Sequence, residues 1–319
     1  MRSAFIKTLE ELAAHDPRII LIVGDLGFTV VESFMTRCPR QFLNAGVAEQ
    51  NMTGLAVGLA LSGKIVVTYS IANFPTLRCL EQIRNDACYH RANLKIVSVG
   101  GGLVYGALGS SHHATEDVAI LRALPGMTVI APGDPLEAAA ATRAMVAHEG
   151  PCYLRLGKAG EPAVHAGPID FRIGRAVTVR EGRDLTVLGT GGAVKLCAEA
   201  AERLERAGVA ARVLSLHTVK PLDVEAVRRA ALETGAVMTV EEHSVVGGLG
   251  SAVAEVLAQL ELPTRVPFRI VGLPDRFCRE VGGQAHLRAV SGLTVEEIVR
   301  AAGTLLASKH ESVGHVERG

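Results

Sequence analysis

The sequence predicts an α/β fold with two domains, each a mainly parallel sheet flanked by helices. Short β-branched and aliphatic runs, such as 19–23 and 94–99, alternate with helical stretches along the chain. These runs are dominated by β-branched and aliphatic residues without strict alternation, which is typical of strands buried on both faces of a sheet. The alternation pauses at 159–183, so we expect one domain at 1–158, a linker, and a second domain at 184–319.

The same patterns predict the order of the elements. Strands of the first domain are expected at 19–23, 64–69, 94–99, 127–130 and 152–155. Its helices are expected at the amphipathic N-terminus, 49–62, 80–90 and 136–148. In the second domain we expect strands at 184–189, 210–215 and 237–240, and helices at 193–207 and 250–259. The linker carries one weak strand pattern near 171–179, and the polar tail at 309–319 is predicted to fray.

Composition excludes several classes of protein. The 33 basic residues balance the 33 acidic ones, so nothing favours nucleic acid or a membrane surface as a partner. The longest apolar stretch, 55–61, is far shorter than the roughly 20 residues of a membrane span. The N-terminus has no secretory hydrophobic region, and the six cysteines form no Cys-x-x-Cys pair or zinc spacing. We therefore predict a cytoplasmic protein with reduced thiols and no metal site of its own.

Three glycine clusters resemble nucleotide-binding loops. They lie at 100–102, 189–192 and 247–250. The second would need Gly or Ala at position 194 to complete a dinucleotide fingerprint, and Val194 stands there. We interpret all three clusters as turns or close-packing devices.

Glu49 is the most informative residue of the chain. It stands between an apolar strand-turn and an Ala/Gly-rich helix, among small and apolar neighbours that predict burial. One interpretation is a first-turn glutamate that the helix dipole favours. The other is a buried carboxyl that shares a proton with a heterocycle.

The segment Gly-Val-Ala-Glu-Gln at 46–50 resembles the pyrimidine-domain signature of thiamine-diphosphate enzymes of the transketolase group. The resemblance implies that Glu49 bonds N1′ of the aminopyrimidine of thiamine diphosphate and that Phe74 stacks on this ring. Ile71 stands where the family has a second aromatic residue, so part of the wall is aliphatic. Asp25, in a Gly-Asp-Leu-Gly segment, matches a family aspartate close to the cofactor.

Further matches concern the substrate. The segment 109–117 resembles a family segment whose histidine contacts the substrate oxygen, and His112 matches that histidine. The resemblance also places Arg155, Arg2 and Thr29 at positions that contact the substrate phosphate, and a guanidinium fork suits such an oxyanion. Without the resemblance, the two histidines would be a solvent loop and Arg155 an ordinary ion-pair residue.

Two departures from the family pattern concern the sugar. Leu108 replaces an aspartate that reads a sugar hydroxyl in the family, and Gly100 replaces a histidine; both family residues hydrogen-bond the sugar. Their loss predicts a wider pocket and a modified, branched or deoxygenated sugar phosphate in place of the ordinary pentose phosphates.

Half of the expected cofactor site is missing from the sequence. Family members bind the diphosphate through Mg²⁺ on a domain with a Gly-Asp-Gly motif, which does not occur in this chain. The resemblance therefore implies a partner, an N-terminal diphosphate-binding subunit that carries this motif and the Mg²⁺ ligands, in an α2β2 assembly. The small residues Gly54, Gly58 and Ser62 form a stripe that allows close helix packing, either within the chain or in a self-dimer.

The resemblance covers nearly the whole chain and fits best the C-terminal subunit of a split transketolase. The implied reaction transfers a two-carbon ketol unit from a ketose to an aldose. Two alternatives stay open: the β subunit of a 2-oxo-acid dehydrogenase, and a non-catalytic scaffold. The approach to His112 without an aspartate is somewhat β-subunit-like, whereas segment 81–85 favours transketolase and the intact Glu49 argues against a scaffold.

Overall fold

Two sheets and their flanking helices organise the residues that the computed structural model describes, 1–262 and 264–316, with side chains through 309. The strands, in chain order, are β1 (Ile19–Val23), β2 (Phe42–Asn44), β3 (Ile65–Ile71), β4 (Leu94–Val99), β5 (Thr128–Ile130), β6 (Cys152–Leu156), β7 (Val177–Arg180), β8 (Leu185–Gly189), β9 (Ala211–Ser215), β10 (Thr218–Lys220), β11 (Val237–Ser244) and β12 (Phe268–Leu273). The helices are α1 (Arg2–Ala13), α2 (Glu32–Arg37), α3 (Glu49–Leu61), α4 (Leu80–Gln82), α5 (Asp117–Ala123), α6 (Pro135–Ala147), α7 (Ala193–Arg206), α8 (Val224–Thr234), α9 (Leu249–Leu257), α10 (Gln284–Val290) and α11 (Val295–Val316).

The first sheet has the strand order β10-β5-β6-β4-β3-β1-β2. All of its neighbouring strands run parallel except β10, which pairs antiparallel with β5. Strand β10 comes from the second half of the chain, so the two halves share this sheet. The carboxyl ends of β6, β4, β3 and β1 lie side by side at one edge of the sheet.

The second sheet has the order β12-β11-β8-β9-β7 and is parallel except for the edge strand β7. Together the two sheets confirm the predicted fold class. Strand β7 lies inside the segment 159–183, whose last residues therefore belong to a sheet. The domain limits at 158 and 184 stay a prediction.

Alternate residues of the first sheet face two apolar layers, because successive side chains of a strand point to opposite faces. Leu21 packs in a cluster with residues of α1 and α6, whereas its neighbour Ile22 packs in a cluster with residues of α3 and α5. The second sheet is covered in the same way, by α7 and α11 on one face and by α8 and α9 on the other. Helices on both faces explain why the strand sequences are rich in aliphatic residues.

Segment 159–183 is tied closely to the first sheet's helix α6. Nε2 of His165 lies 2.8 Å from Oε1 of Glu137, and both side chains are buried. The backbone N–H groups of Val164 and His165 donate to Oδ2 of Asp134, at 2.8 and 3.0 Å. Oδ1 of Asp134 caps the start of α6 by accepting the Glu137 N–H. The linker is therefore docked by specific polar contacts.

The remaining sequence expectations have mixed outcomes. The predicted helix at 80–90 is α4 followed by a π-helical segment, Ile83–Cys88. The tail predicted to fray is helical as far as Val316 in α11, and 317–319 lie outside the described residues. All six cysteines are free thiols. Within the described ranges, no helix combines the length and apolar character needed to cross a bilayer.

Candidate active site

The candidate site lies where the loops after β1, β3, β4 and β6 meet. These strands are neighbours in a parallel region of the sheet, so their carboxyl ends lie at the same edge, the usual place for a ligand in open α/β sheets. The loops carry Asp25 and Thr29, Phe74, His112, and Lys158 respectively.

Glu49 is the first residue of helix α3 and is only 5% exposed, which confirms the predicted burial. Its Oε1 accepts a hydrogen bond from Nη1 of Arg78 at 3.1 Å. The acidic side chain also stands at the positive end of the helix dipole, as the first interpretation expects, and proton sharing with a heterocycle stays a prediction.

Arg78 connects Glu49 to the other predicted residues. Its guanidinium carbon lies 3.9 Å from the centroid of the Phe74 ring, in cation–π contact. The Phe74 ring in turn meets the His112 imidazole edge-to-face, with centroids 5.2 Å apart. A continuous chain of contacts therefore runs from Glu49 through Arg78 and Phe74 to His112.

Sequence reasoning missed Arg78. It lies in a short 3₁₀ helix, Leu77–Cys79, which is too short to produce a periodic pattern of apolar residues in the sequence. The available signal was its spacing of four residues after Phe74, which brings side chains together if the chain turns helically there.

The two histidines have different environments. His112 is half-buried, with Nδ1 3.0 Å from the Ser111 hydroxyl. His113 is buried, its Nε2 has no hydrogen-bond partner among the described residues, and burial lowers its pKa. The Asn73 side-chain amide donates to the His113 carbonyl and so ties the Phe74 loop to the histidine loop. The histidine pair therefore belongs to an ordered loop.

Asp25 and Thr29 are exposed and have left-handed backbones, with φ of +54° and +66°. The Asp25 N–H donates to Oδ1 of Asn44 at 3.0 Å, and Nδ2 of Asn44 donates back to Oδ1 of Asp25 at 2.9 Å. The Thr29 N–H donates to Oε1 of Glu32 at 2.6 Å. Unusual backbone conformations of this kind cluster at functional sites. Ile71 ends β3 and is half-buried.

Arg155 is buried in an ion pair. Its Nε donates to Oδ2 of Asp117 at 2.8 Å, and its Nη2 donates to the carbonyls of Ala114 and Glu242 at 2.6 and 3.0 Å. Burial opposes ionisation of Asp117, but the charge and hydrogen bond of Arg155 outweigh burial and hold the pKa of Asp117 below its usual range. This is the ion-pair role that the sequence left open, and the phosphate role of Arg155 stays a prediction.

Two cationic side chains, Lys158 and Arg2, lie near Tyr105. The Lys158 ammonium lies 5.6 Å from the centroid of the Tyr105 ring. Burial raises the pKa of Tyr105, and the nearby charge of Arg2 acts in the opposite direction. Nε of Arg2 is buried without a hydrogen-bond partner among the described residues. Arg2 thus lies near an aromatic residue, Tyr105, that also faces Lys158, and sequence reasoning singled out neither of these two residues.

The glycine cluster at 100–102 allows three side chains to lie against the backbone. A Cβ at Gly100 would overlap the Tyr105 ring, a Cβ at Gly101 would lie 2.8 Å from the Arg155 guanidinium, and one at Gly102 would lie 2.6 Å from Cγ of Glu242. The interpretation of this cluster as a close-packing device is confirmed.

The prediction of a wider pocket is wrong at Gly100. The space next to this glycine is filled by the ring of Tyr105, five residues further along the same loop. At Leu108, the second departure from the family pattern, the side chain is 55% exposed. The sequence could not show that Tyr105 fills the space next to Gly100, because the loop must fold back on itself before the tyrosine ring can reach the glycine.

The donor set fits the aminopyrimidine that the resemblance implies. Glu49 offers a buried carboxyl, with Oε1 held by Arg78. Phe74 and Ile71 offer a half-buried aromatic and aliphatic wall. A carboxyl beside an apolar wall is what the pyrimidine end of this cofactor requires.

Comparisons with known proteins agree with this geometry. The family model "Transketolase, pyrimidine binding domain" matches residues 1–160, and "Transketolase, C-terminal domain" matches residues 174–298. An apulose-4-phosphate transketolase subunit of Phocaeicola vulgatus is 40% identical over 304 residues, 94% of this chain and 96% of that protein. The 6-deoxy-6-sulfo-D-fructose transketolase subunit SqwH of a Clostridium species is 42% identical over 311 residues, 97% of this chain and 95% of that protein.

A solved structure gives the same result. A split gene transketolase, described as an inactive beta4 tetramer, superposes with a TM-score of 0.86 at 39% identity, covering 97% of this chain and 98% of that chain. The chain belongs to the transketolase family of thiamine-diphosphate enzymes, as a section that joins the pyrimidine-binding and C-terminal domains.

Proposed function

We propose that this chain is the C-terminal, pyrimidine-binding subunit of a two-chain transketolase that moves a two-carbon ketol unit from a ketose to an aldose. The observation that carries the proposal is the unbroken line of contacts from Glu49 through Arg78 and Phe74 to His112. These contacts support a common site for the three residues that the family resemblance selected.

Each residue has a distinct task in this proposal. Glu49 holds N1′ of the cofactor's aminopyrimidine, Phe74 and Ile71 form the wall against its ring, and Asp25 lies at the same edge of the sheet. Thiamine diphosphate, when bound, supplies the electron sink for cleavage next to the ketose carbonyl. His112 binds the substrate oxygen near that carbonyl and moves its proton by general acid–base catalysis.

The proposed partner is a diphosphate-binding subunit with a Gly-Asp-Gly motif and the Mg²⁺ ligands. The sequence of this chain contains no such motif. Two relatives that match it over nearly their whole length are named as transketolase subunits, and the homologous split chain assembled on its own is described as inactive. We propose an α2β2 assembly in which copies of this chain also contact each other, in the cytoplasm.

The proposed substrate is a non-standard sugar with a terminal phosphate or a similar anion. Two relatives are named for apulose-4-phosphate and for 6-deoxy-6-sulfo-D-fructose. Arg2, Thr29 and Arg155 are the phosphate-contacting residues that the resemblance implies. Of these, Arg2 lies near Tyr105, whose ring Lys158 also faces, whereas Arg155 is engaged with Asp117.

The test is ketol transfer by the complex with the diphosphate-binding subunit, before and after Glu49→Gln. We expect the substitution to lower kcat by about 100-fold or more, because the amide cannot replace the carboxyl in proton exchange. Glu202→Gln, an exposed glutamate on α7, is the matched control. Full activity of Glu49→Gln would favour the scaffold, and decarboxylation of pyruvate without any aldose acceptor would favour the 2-oxo-acid dehydrogenase β subunit.

A further inference from the structure

Arg155 joins three separate segments of the chain. It stands on β6, and its side chain is 5% exposed. Its Nε donates to Oδ2 of Asp117 at the start of α5, and its Nη2 donates to the carbonyls of Ala114 and Glu242. Ala114 follows His112 by two residues, and Glu242 lies on β11 of the second sheet. One buried guanidinium therefore links the neighbourhood of His112 to both sheets.

The loop that carries His112, residues 100–116, is closed at its base next to this guanidinium. Gly102 and Ala114 exchange two backbone hydrogen bonds, of 2.8 and 2.9 Å, in an isolated bridge. The Ala114 carbonyl accepts from the Gly102 N–H and from Arg155 at once. Between the bridge residues the loop contains two 3₁₀ turns of three residues each, and His112 ends the second. Such turns have poorer hydrogen-bond geometry than an α-helix, so we expect the base of the loop to set the position of His112.

The second half of the chain contacts both ends of the same loop. At one end, the Leu103 N–H donates to Oε1 of Glu242 at 2.9 Å. At the other end, the Ser244 N–H donates to the Thr115 carbonyl at 2.8 Å. The Glu242 carbonyl accepts from Arg155 at 3.0 Å between these two contacts. Arg155 thus bonds the loop to β11, although the two come from different halves of the chain.

These contacts occupy the donors that a phosphate would need. A guanidinium fork binds an oxyanion through two nitrogens. Nε and Nη2 of Arg155 already have protein acceptors, and Nη1 is the one nitrogen of this side chain without a hydrogen-bond partner among the described residues. A phosphate held by two nitrogens would therefore have to displace the bond to Asp117 or the bonds to the two carbonyls.

We propose that Arg155 is a positioning residue of ketol transfer that acts through His112. It fixes the base of the loop against β11, and so places the His112 imidazole beside the substrate oxygen. This inference rests on the proposed function, and it gives Arg155 a task other than the phosphate contact that the resemblance implies. A misplacement of about 1 Å in a catalytic group costs about 100-fold in rate, so contacts that hold the loop should be visible in kcat.

The kinetic test compares Arg155→Lys with the wild type in the complex with the diphosphate-binding subunit. Lysine keeps a positive charge for Asp117, but its compact ammonium cannot replace the planar fork at the two carbonyls. The donors are apulose 4-phosphate and apulose, which differ only in the phosphate. We expect kcat to fall by about 10-fold or more for both donors, with KM within about threefold of the wild type. A KM that rises for the phosphorylated donor alone, with kcat unchanged, would overturn the inference in favour of phosphate contact.

A double-mutant cycle tests whether Arg155 acts through His112. In the His112→Asn background, the further change Arg155→Lys should lower kcat by less than about threefold, because the group that it positions is already gone. An equal loss in both backgrounds would mean that Arg155 only supports the fold, and the inference would fall. Arg143→Lys, at an exposed arginine of α6 that pairs with Glu11, is the matched control.

A second variant keeps the test valid if lysine disturbs the buried ion pair. Arg155→Met combined with Asp117→Asn removes both charges together, so that neither is left buried alone, and the same loss of kcat is expected. Amide hydrogen exchange then measures the loop directly. Exchange at 103–113 should be faster by about 10-fold or more in both variants, while exchange in α8 should stay as in the wild type. Loop exchange equal to that of the wild type would contradict the inference.

The outcomes separate this inference from the proposed function. Ketol transfer that Arg155→Lys leaves unchanged would overturn the inference and leave the proposed function standing. Absence of ketol transfer from both donors in the wild-type complex would count against the proposed function. The exchange measurement needs no activity, so it decides in either case whether Arg155 holds the loop.

Discussion

At the scale of single residues, Arg78 is the side chain that completes the candidate site. One guanidinium nitrogen bonds Oε1 of Glu49 while the guanidinium plane covers Phe74, so a single residue orients both the carboxyl and the ring. Arg78 is about half exposed, so neither contact adds much to the stability of the chain. We expect Arg78 to matter because it fixes the direction of the Glu49 carboxyl. A flexible lysine cannot make this hydrogen bond and the contact with the Phe74 ring at the same time.

We expect Arg78→Met to lower kcat/KM for ketol transfer by about 10-fold, because the Glu49 carboxyl then rotates freely. The melting temperature should change little, and Arg78→Lys should restore part of the activity. Steady-state kinetics of the two-subunit complex, with Arg84→Met as an exposed control, measure this. Kinetics within twofold of the wild type would show that Arg78 does not position Glu49.

The candidate site was predictable from the sequence where local motifs carry it. Glu49 and His112 stand in segments that resemble family signatures, and the structure links them through Arg78 and Phe74. Arg78 and Tyr105 were not predictable, since each acts through a contact that only the folded loop creates. For Arg155 the sequence left two roles open, a phosphate contact and an ion pair. The structure shows the ion pair, with Asp117, and the phosphate contact stays a prediction.

At the scale of elements, the contact between the linker and helix α6 is sensitive to pH. The Glu137 carboxylate accepts a hydrogen bond from His165 Nε2 and thereby raises the pKa of His165, and burial acts against this rise. Asp134 raises it further, and His217 lies near enough for mutual repulsion. A histidine that binds its proton more tightly when folded stabilises the folded chain while it is protonated in that state.

The stabilisation by His165 should therefore be full below about pH 6.5, the ordinary pKa of histidine. It should fade as the pH rises through the raised pKa of the folded state. The thermal midpoint of the wild type minus that of His165→Asn, measured at pH 6 and pH 9, is expected to be larger at pH 6. His15→Asn, at an exposed histidine, controls for unspecific effects of pH. An equal or larger difference at pH 9 would contradict the assignment.

The strands show which elements a sequence reveals. Strands β1 and β4, at 19–23 and 94–99, were predicted with their observed bounds because both are buried and rich in aliphatic residues. Strands β2 and β10 have three residues each and were missed. Strand β10 also pairs with β5 across the two halves of the chain, a partnership that no local pattern encodes.

At the scale of the whole molecule, the second half of the chain holds the histidine loop in place. The Glu242 carboxylate accepts from the Leu103 N–H at 2.9 Å and from the side chains of Gln284 and Arg288. Gly106 packs so closely against Leu287 that a side chain there would clash. The candidate site therefore depends on both halves, although its proposed cofactor contacts all come from the first.

The central claim is that this chain carries only the pyrimidine half of a cofactor site. Its sequence has the Glu49 signature but no Gly-Asp-Gly motif. The hydrogen bond to Glu49 and the ring contact with Phe74 hold only the aminopyrimidine and give weak binding by themselves. The charged diphosphate of the cofactor needs a cation and backbone N–H donors. The proposed function therefore expects the two halves to meet at an interface with another chain.

Calorimetric titration of thiamine diphosphate with Mg²⁺ tests this claim most directly. The titration is made into this chain alone and into its complex with the diphosphate-binding subunit. We predict heat of binding with a micromolar or tighter Kd for the complex and none at the same concentrations for the isolated chain. Equally tight binding to the isolated chain would contradict the claim, because the chain would then hold a complete cofactor site.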